Sequence, residues 1–283
     1  MHRVLSGLIL VSLTCGPCAF AQNGRPAATS DFPTSGYLPL PPHFQPRPAN
    51  APDKVEVAPP PLPSYAQPAM PEEGCLWTPG FWAWRQAVPD YFWVPGTWAR
   101  PPRPGLLWTP PYWSRSDDGY AFHPGYWAER VGFYGGIDYG HGYGGDGYLG
   151  ARWENGVLFY NRAVNNFGSL EISHGYDLTA TAEPAAPQVS FNGGGGGTTA
   201  RPTAEQEQLA LQRHVAPTPE QRRHFLEAAK DSSLYSKLNG GEPSPAATPL
   251  PGQFEAAGVT RSDRSAAAGE PSRRAVTTGV NMK

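Results

Sequence analysis

Trp77-Thr-Pro-Gly-Phe-Trp82, Trp93-Val-Pro-Gly-Thr-Trp98, Trp108-Thr-Pro-Pro-Tyr-Trp113 and Phe122-His-Pro-Gly-Tyr-Trp127 are four copies of one phrase, with starts 16, 15 and 14 residues apart. A repeat this regular sets the architecture of the segment that contains it. Pro followed by Gly at the centre of a turn specifies type II, because Gly accepts the positive φ required at the third position. That turn splays flanking strands instead of pairing them tightly. Each phrase therefore reads as a corner whose two outer aromatics approach each other across the bend. In the third copy Pro111 stands where glycine is expected, and proline cannot take positive φ, so that corner differs.

The stretch around the repeats supports a mainly β fold, a small antiparallel meander. Tyr91-Phe-Trp-Val94 is aromatic and β-branched, and alternation puts Tyr91 with Trp93, and Trp82 with Trp84, on shared faces. Asp118-Gly119 and Asn155-Gly156, each between aromatic runs, read as type I′ hairpin tips. All nine tryptophans lie between residues 77 and 153. At roughly 150–250 Å² buried per large aromatic, they can hold a small domain that is poor in Leu and Ile. The Tyr/Gly alternation of residues 132–150 fits either a flexible aromatic loop or backbone packed closely beneath aromatic rings.

Outside this segment the chain is low in complexity. Gly and Pro make up 67 of 283 residues, close to the level at which disorder is expected. Residues 1–21 read as an export signal: Arg3, an apolar run Val4–Leu13, and the small-x-small site Ala19-Phe-Ala21. Thr14 before Cys15 and Pro17 before Cys18 fit lipidation poorly. Cleavage near Ala21 leaves Cys75 as the sole cysteine, and the bland reading is a buried thiol. The apolar run is shorter than the roughly 20 residues needed to span a bilayer.

Residues 22–71 are expected to be a Pro-rich disordered spacer, 72–178 the aromatic β-repeat domain, and 179–202 a Gly-rich linker. Residues 203–240 form a helical segment: Thr203 with Gln206, and Thr218 with Pro219 and Gln221, are N-terminal capping signals. Residues 241–283 are expected to be a disordered tail.

The W-x-P-G-x-W phrases, with Arg100-Pro-Pro-Arg-Pro-Gly105 between copies, resemble the WxxGxW (also YxWGxW) repeat family of bacterial exported proteins. The likeness runs through Val131-Gly-Phe-Tyr-Gly-Gly-Ile137 and Tyr160-Asn161 to the surroundings of His214-Val-Ala-Pro-Thr218. It implies an exported protein with a repeat-built fold. It implies no activity, cofactor or partner.

The residues themselves point the same way. There is no G-x-S-x-G, no H-E-x-x-H and no phosphate-binding glycine loop ahead of a helix, so no enzyme is expected. Asp138, His141 and Asp146 match no strong metal-ligand spacing, and no metal or cofactor is expected. The formal charge is −2. Residues 72–178 hold 7 Lys/Arg against 11 Asp/Glu, which argues against nucleic acid.

The expectation is a non-enzymatic protein of the periplasm or extracellular space, with a structural or binding role. Its partners would be polysaccharide, peptidoglycan or another envelope protein. The structural repeat residues are Trp77, Gly80, Trp82, Trp93, Gly96, Trp98, Trp108, Trp113, Gly125 and Trp127. The alternative is a carbohydrate-binding accessory that stacks sugars on outward-facing Trp84, Tyr112 and Tyr126.

Overall fold

The computed structural model describes residues 54–179 and 188–263. The expected export signal, the first part of the Pro-rich segment and the chain beyond 263 lie outside the described residues. The fold is mainly β. The chain enters as β1 (Lys54–Val55) and then runs without regular structure to β2 (Leu76–Thr78). There follow β3 (Phe81–Arg85), β4 (Asp90–Val94) and β5 (Gly96–Ala99), then β6 (Leu107–Thr109), β7 (Tyr112–Ser116), β8 (Gly119–His123) and β9 (Tyr126–Ala128).

These eight repeat strands form two long antiparallel hairpins, each interrupted at the Pro-containing dipeptides. In the first, β3 pairs with β4 and β2 with β5; in the second, β7 pairs with β8 and β6 with β9. The register passes through each interruption unchanged. Thr78 faces Thr97 and Phe81 faces Val94; Thr109 faces Tyr126 and Tyr112 faces His123. Pro79-Gly80 therefore lies opposite Pro95-Gly96. The corner reading is corrected here: the dipeptides break both arms of a hairpin, and the aromatics of one copy meet those of the next copy. Proline explains the break, since it has no N–H to contribute to a ladder.

The second hairpin turns at Asp117-Asp118, one residue earlier than expected, with Ser116 opposite Gly119. The Asn155-Gly156 tip forms as its sequence requires. It joins β12 (Ala151–Glu154) to β13 (Val157–Asn161), with φ of 49° and 78° at the two turn residues. Between the hairpins and this tip lie β10 (Asp138–Gly140) and β11 (Tyr143–Gly144). Here the Tyr/Gly stretch is packed: Tyr134, Tyr139 and Tyr143 are all buried. Tyr143 Oη donates to the Trp108 carbonyl at 2.8 Å, and Tyr139 Oη to that of Pro111 at 2.5 Å.

Short strands β14 (Gly175–Tyr176) and β15 (Phe191–Asn192) pair in parallel with β13 and β7 respectively. Two helices follow, α1 (Ala204–Ala210) and α2 (Pro219–Ala228), each opened by the expected capping box. A further short helix, α3 (Ser236–Asn239), ends at Gly240, whose φ is 65°. Its first turn is held by Asp90 at the tip of the first hairpin, which accepts from Ser236 Oγ and Lys237 N.

Two tail expectations are corrected. Residues 54–71 are not a free spacer: Val55, Leu62 and Met70 are core residues. Residues 242–263 are not a structureless tail: Ala246 and Ala247 are fully buried, and β16 (Ala247–Thr248) pairs in parallel with β5. Both stretches supply carbonyl oxygens to buried indole N–H groups, which need acceptors once removed from water. Residues 188–202 of the expected linker also take part, since Ser190 is buried and Phe191 packs edge-on to Tyr120.

Candidate functional site

The repeat tryptophans are the core of the molecule. Trp77, Trp98 and Trp127 are 0% exposed, Trp82 and Trp93 1%, and Trp108 and Trp113 4%. At roughly 25 cal/mol per Å² of apolar area, each such indole contributes on the order of 4–6 kcal/mol before the cost of ordering it. That is how a domain with few aliphatics holds together.

The indoles are arranged as cross-strand pairs. Trp77 with Trp98, Trp82 with Trp93 and Trp108 with Trp127 have ring centroids 5.4, 5.1 and 5.2 Å apart. Trp113 meets Phe122 at 5.1 Å. Such pairs prefer tilted or edge-to-face contact over a face-to-face sandwich, and all four are tilted or edge-on. Two hairpins with the same four-position layout thus arise from four phrases taken two at a time.

The glycines are needed for space. Gly80, Gly96 and Gly125 do not take the left-handed backbone. A β-carbon on Gly96 would sit 2.6 Å from Trp77 Cζ2, one on Gly125 2.5 Å from Trp108 Cζ2, and one on Gly80 would clash still more closely with Trp93 Cζ2. In every case the indole above the glycine belongs to the first tryptophan of the opposite copy.

A family model described as WXXGXW repeat (2 copies) matches residues 76–99, 89–103 and 103–128. Over residues 76–128 the chain is similar to the WXXGXW repeat family. The first and last matches coincide with the two hairpins, so the two-copy unit of the family is one hairpin here. No curated protein and no solved structure matches the chain.

Around the WXXGXW hairpins, indole N–H groups find acceptors from distant segments. Trp82 Nε1 donates to Pro61 O at 3.1 Å and Trp98 Nε1 to Pro68 O at 2.8 Å. Trp93 Nε1 donates to Ala246 O, Trp113 Nε1 to Trp82 O and Trp127 Nε1 to Gln221 Oε1, each at 2.8 Å. The bond from Trp113 ties the second hairpin to the first, reinforced by the stacked rings of Phe81 and Phe122.

The three residues expected to face outward are all half-buried. Trp84 packs edge-on against Tyr91 at 4.9 Å and donates to Gln86 Oε1. Tyr112 is stacked on His123 at 4.3 Å, and Tyr126 on His214 at 3.7 Å, both nearly parallel. Each tyrosine therefore has one face covered by a ring of its own chain. Burial pushes the Tyr112 hydroxyl up to about 12 and raises that of Tyr126.

The other chemistry-bearing groups have structural partners. His141 lies edge-on to Trp77, Asp138 accepts from Gly140 N, and His123 Nε2 meets Ser114 Oγ at 2.7 Å. Burial lowers the pKa of His123 and of His141. Among the described residues no three His, Cys, Asp or Glu side chains are grouped to hold a metal. Cys75 is fully buried, and burial, with Glu72 beside it, pushes its thiol up to about 11.

His224 on α2 is also buried. Its Nδ1 accepts from Gly252 N at 2.8 Å, which leaves Nε2–H to donate to Pro95 O at 2.9 Å. Desolvation holds it down to about 4.

A groove of about 720 Å³ lies between α1 and the end of the second hairpin. Arg103, Arg130, Arg213, Glu205, Gln206 and Gln212 are among its lining residues. The sequence reading missed this groove, because it joins segments a hundred residues apart. It also missed Tyr65, Pro61 and Pro68. A signal for those did exist: a Pro-rich run and an aromatic-rich domain in one chain are natural partners.

Proposed function

We propose that this is an exported, non-enzymatic protein of the bacterial cell envelope, with a structural or binding role carried by the WXXGXW hairpins. The observation that supports it is the inward placement of the repeat tryptophans. Five of their indole N–H groups are bonded to acceptors of the same chain, so the repeat is spent on building a rigid aromatic scaffold. Export is supported by the leader-like residues 1–21. Among the described residues no helix is long and apolar enough to cross a membrane. The test is fractionation of the native host with sequencing of the mature N-terminus. A chain beginning at Gln22 outside the cytoplasm is expected, and a full-length cytoplasmic chain would overturn the reading.

A second reading, sugar binding, is favoured by the groove beside α1. Its guanidinium, carboxylate and amide groups are of the kind that hydrogen-bond to sugar hydroxyls. In this reading sugar contacts come chiefly from polar side chains, since Tyr112 and Tyr126 are already stacked on histidines. Titration calorimetry with peptidoglycan and exopolysaccharide fragments tests it: absence of heat with every glycan would remove it.

A further inference from the structure

Residues 54–70 form a strap that crosses the hairpins chiefly through carbonyl oxygens that accept from side chains of the body, while Leu62 N and Met70 N donate to Gln188 O and Asn166 O. Tyr91 Oη donates to Val57 O at 2.8 Å, Ser190 Oγ to Pro59 O at 3.1 Å and Trp82 Nε1 to Pro61 O at 3.1 Å. Thr260 Oγ1 donates to Ala66 O, Asn166 Nδ2 to Gln67 O and Trp98 Nε1 to Pro68 O, each at 2.8 Å. Prolines 59, 60, 61, 63 and 68 have no N–H, so this stretch cannot add a full strand to a sheet. Carbonyls served by Trp, Tyr and Asn side chains, with rings lying against the chain, is how extended proline-rich peptides are recognised.

The strap also has an anchor. The Tyr65 ring lies 6.0 Å from that of Trp93, 6.5 Å from Trp77 and 5.8 Å from His141. Its hydroxyl accepts from Gly80 N at 3.0 Å, at the interruption in the first hairpin. That N–H is available to the strap because Gly80 lies in the interruption between β2 and β3, outside both strands. The connection from strap to hairpin, Pro71 to Gly74, is exposed or half-buried.

We infer that the face made by Trp82, Tyr91, Trp98, Asn166 and Ser190 is a recognition site for a proline-rich extended peptide that carries a tyrosine anchor within it. Residues 54–70 are its ligand supplied in cis. The ligand that fits from outside is the same stretch of a second copy of this chain, since its prolines and Tyr65 already match the donors. Copies joined by exchanged straps would assemble without any new surface. The inference deepens the binding role proposed above by naming the ligand. Its test uses purified protein, so its failure would leave export and the scaffold role standing.

The experiment places a protease recognition sequence between Pro71 and Gly74 of the full mature chain. The nicked protein is then incubated with a fluorescent peptide of residues 54–71. Expected are a retained cooperative melt after nicking, uptake of the peptide with release of the fragment, and at least roughly tenfold weaker uptake of a peptide with prolines 59, 61, 63 and 68 changed to Ala. The intact chain should take up the peptide on the order of a hundredfold less well, because the tethered strap competes at high effective concentration. Trp98→Phe, which removes the donor and keeps a ring, should weaken uptake about three- to tenfold. Loss of the melt on nicking would make the strap an integral core element and overturn the inference. So would absence of uptake, or equal uptake of the Ala peptide.

Discussion

Gly80 lies directly beneath the indole of Trp93, where a β-carbon would clash with ring atom Cζ2. The relation is reciprocal within the hairpin, because Gly96 lies beneath Trp77. In the second hairpin Gly125 lies beneath Trp108, and the remaining diagonal holds Pro111 and Phe122. The two copies that depart from the phrase thus depart at positions that belong together. Where Pro111 replaces the glycine, the aromatic at the diagonal position is the smaller phenyl of Phe122. In the three copies that carry it, the glycine serves close approach and not a positive φ.

A double-mutant cycle tests this pairing. Gly80→Ala should destabilise by about 1–3 kcal/mol through overpacking. Trp93→Phe carries its own loss of buried area and of the bond to Ala246. Made together, the two should cost less than the sum of the single changes by about 1 kcal/mol or more. Urea denaturation of the four proteins reads this, and strict additivity would refute the pairing. Gly96→Ala combined with Trp93→Phe is the control and should show the smaller coupling.

Gln221 serves two ends. Its side-chain oxygen accepts from Thr218 N as part of the capping box of α2 and from Trp127 Nε1 at the end of the second hairpin. Gln221→Ala removes a cap, worth about 1 kcal/mol, and strands a buried indole N–H, worth about 1–3 kcal/mol. A loss of roughly 2–4 kcal/mol is expected in chemical denaturation. Gln221→Glu keeps the acceptor and should recover most of it. Equal losses for the two variants would show that the oxygen is not what matters.

The inner strands of both hairpins, both capping boxes and the Asn155-Gly156 tip were legible in the sequence, because each rests on residues close together in the chain. The sequence did not announce which aromatics pair. Trp77 meets Trp98 instead of Trp82, and that depends on strand register, a long-range property. Composition misled at both tails for the same reason. Pro61, Pro68 and Ala246 carry no pattern of their own. Their carbonyls accept from Trp82, Trp98 and Trp93, partners that lie elsewhere in the chain. Trp84, Tyr112 and Tyr126, expected to face outward, are half-buried, and the histidines stacked on the two tyrosines were not legible.

Truncation at the C-terminal side tests one of those acceptors. A chain ending at Ser244 loses Ala246 O, the acceptor for both Trp93 Nε1 and Gly96 N. It also loses Gly252 N, which donates to His224. The melting temperature should fall by more than about 5 °C, the shift expected for a few kcal/mol in a domain of this size. Differential scanning calorimetry against the full chain decides, and an unchanged melt would mean that residues 245–263 contribute no stability.

His224 makes stability depend on pH. Its folded pKa is about 4, below the 6.5 of a free imidazole, so between those values the unfolded chain binds more protons than the folded one. The stabilisation is therefore complete above pH 6.5, declines as pH falls and is fully lost below about 4. Protonated Nδ1 would face the Gly252 N–H that it now accepts from. A difference of this size corresponds to roughly 3 kcal/mol. His123 and His141 act in the same direction. Urea midpoints across pH 4–8 should drop towards acid in the native protein, and His224→Gln should flatten part of that slope. Parallel profiles for the two proteins would exclude His224 as the source.

Cys75 gives the last test, and it sits where the connection Pro71 to Gly74 enters the first hairpin, beside Glu72. The thiol is fully buried beside Glu72, and its pKa is pushed up to about 11. The nucleophile is the thiolate, so both access and ionisation slow its reaction. Alkylation at pH 8 should be at least about a hundredfold slower in the native protein than in urea. Partial unfastening of the strap, as by nicking between Pro71 and Gly74, should speed it while the β-rich spectrum persists. Rates that match in native and unfolded protein would mean that this site is open in solution. Mass spectrometry of the labelled Cys75 peptide over time supplies the measurement.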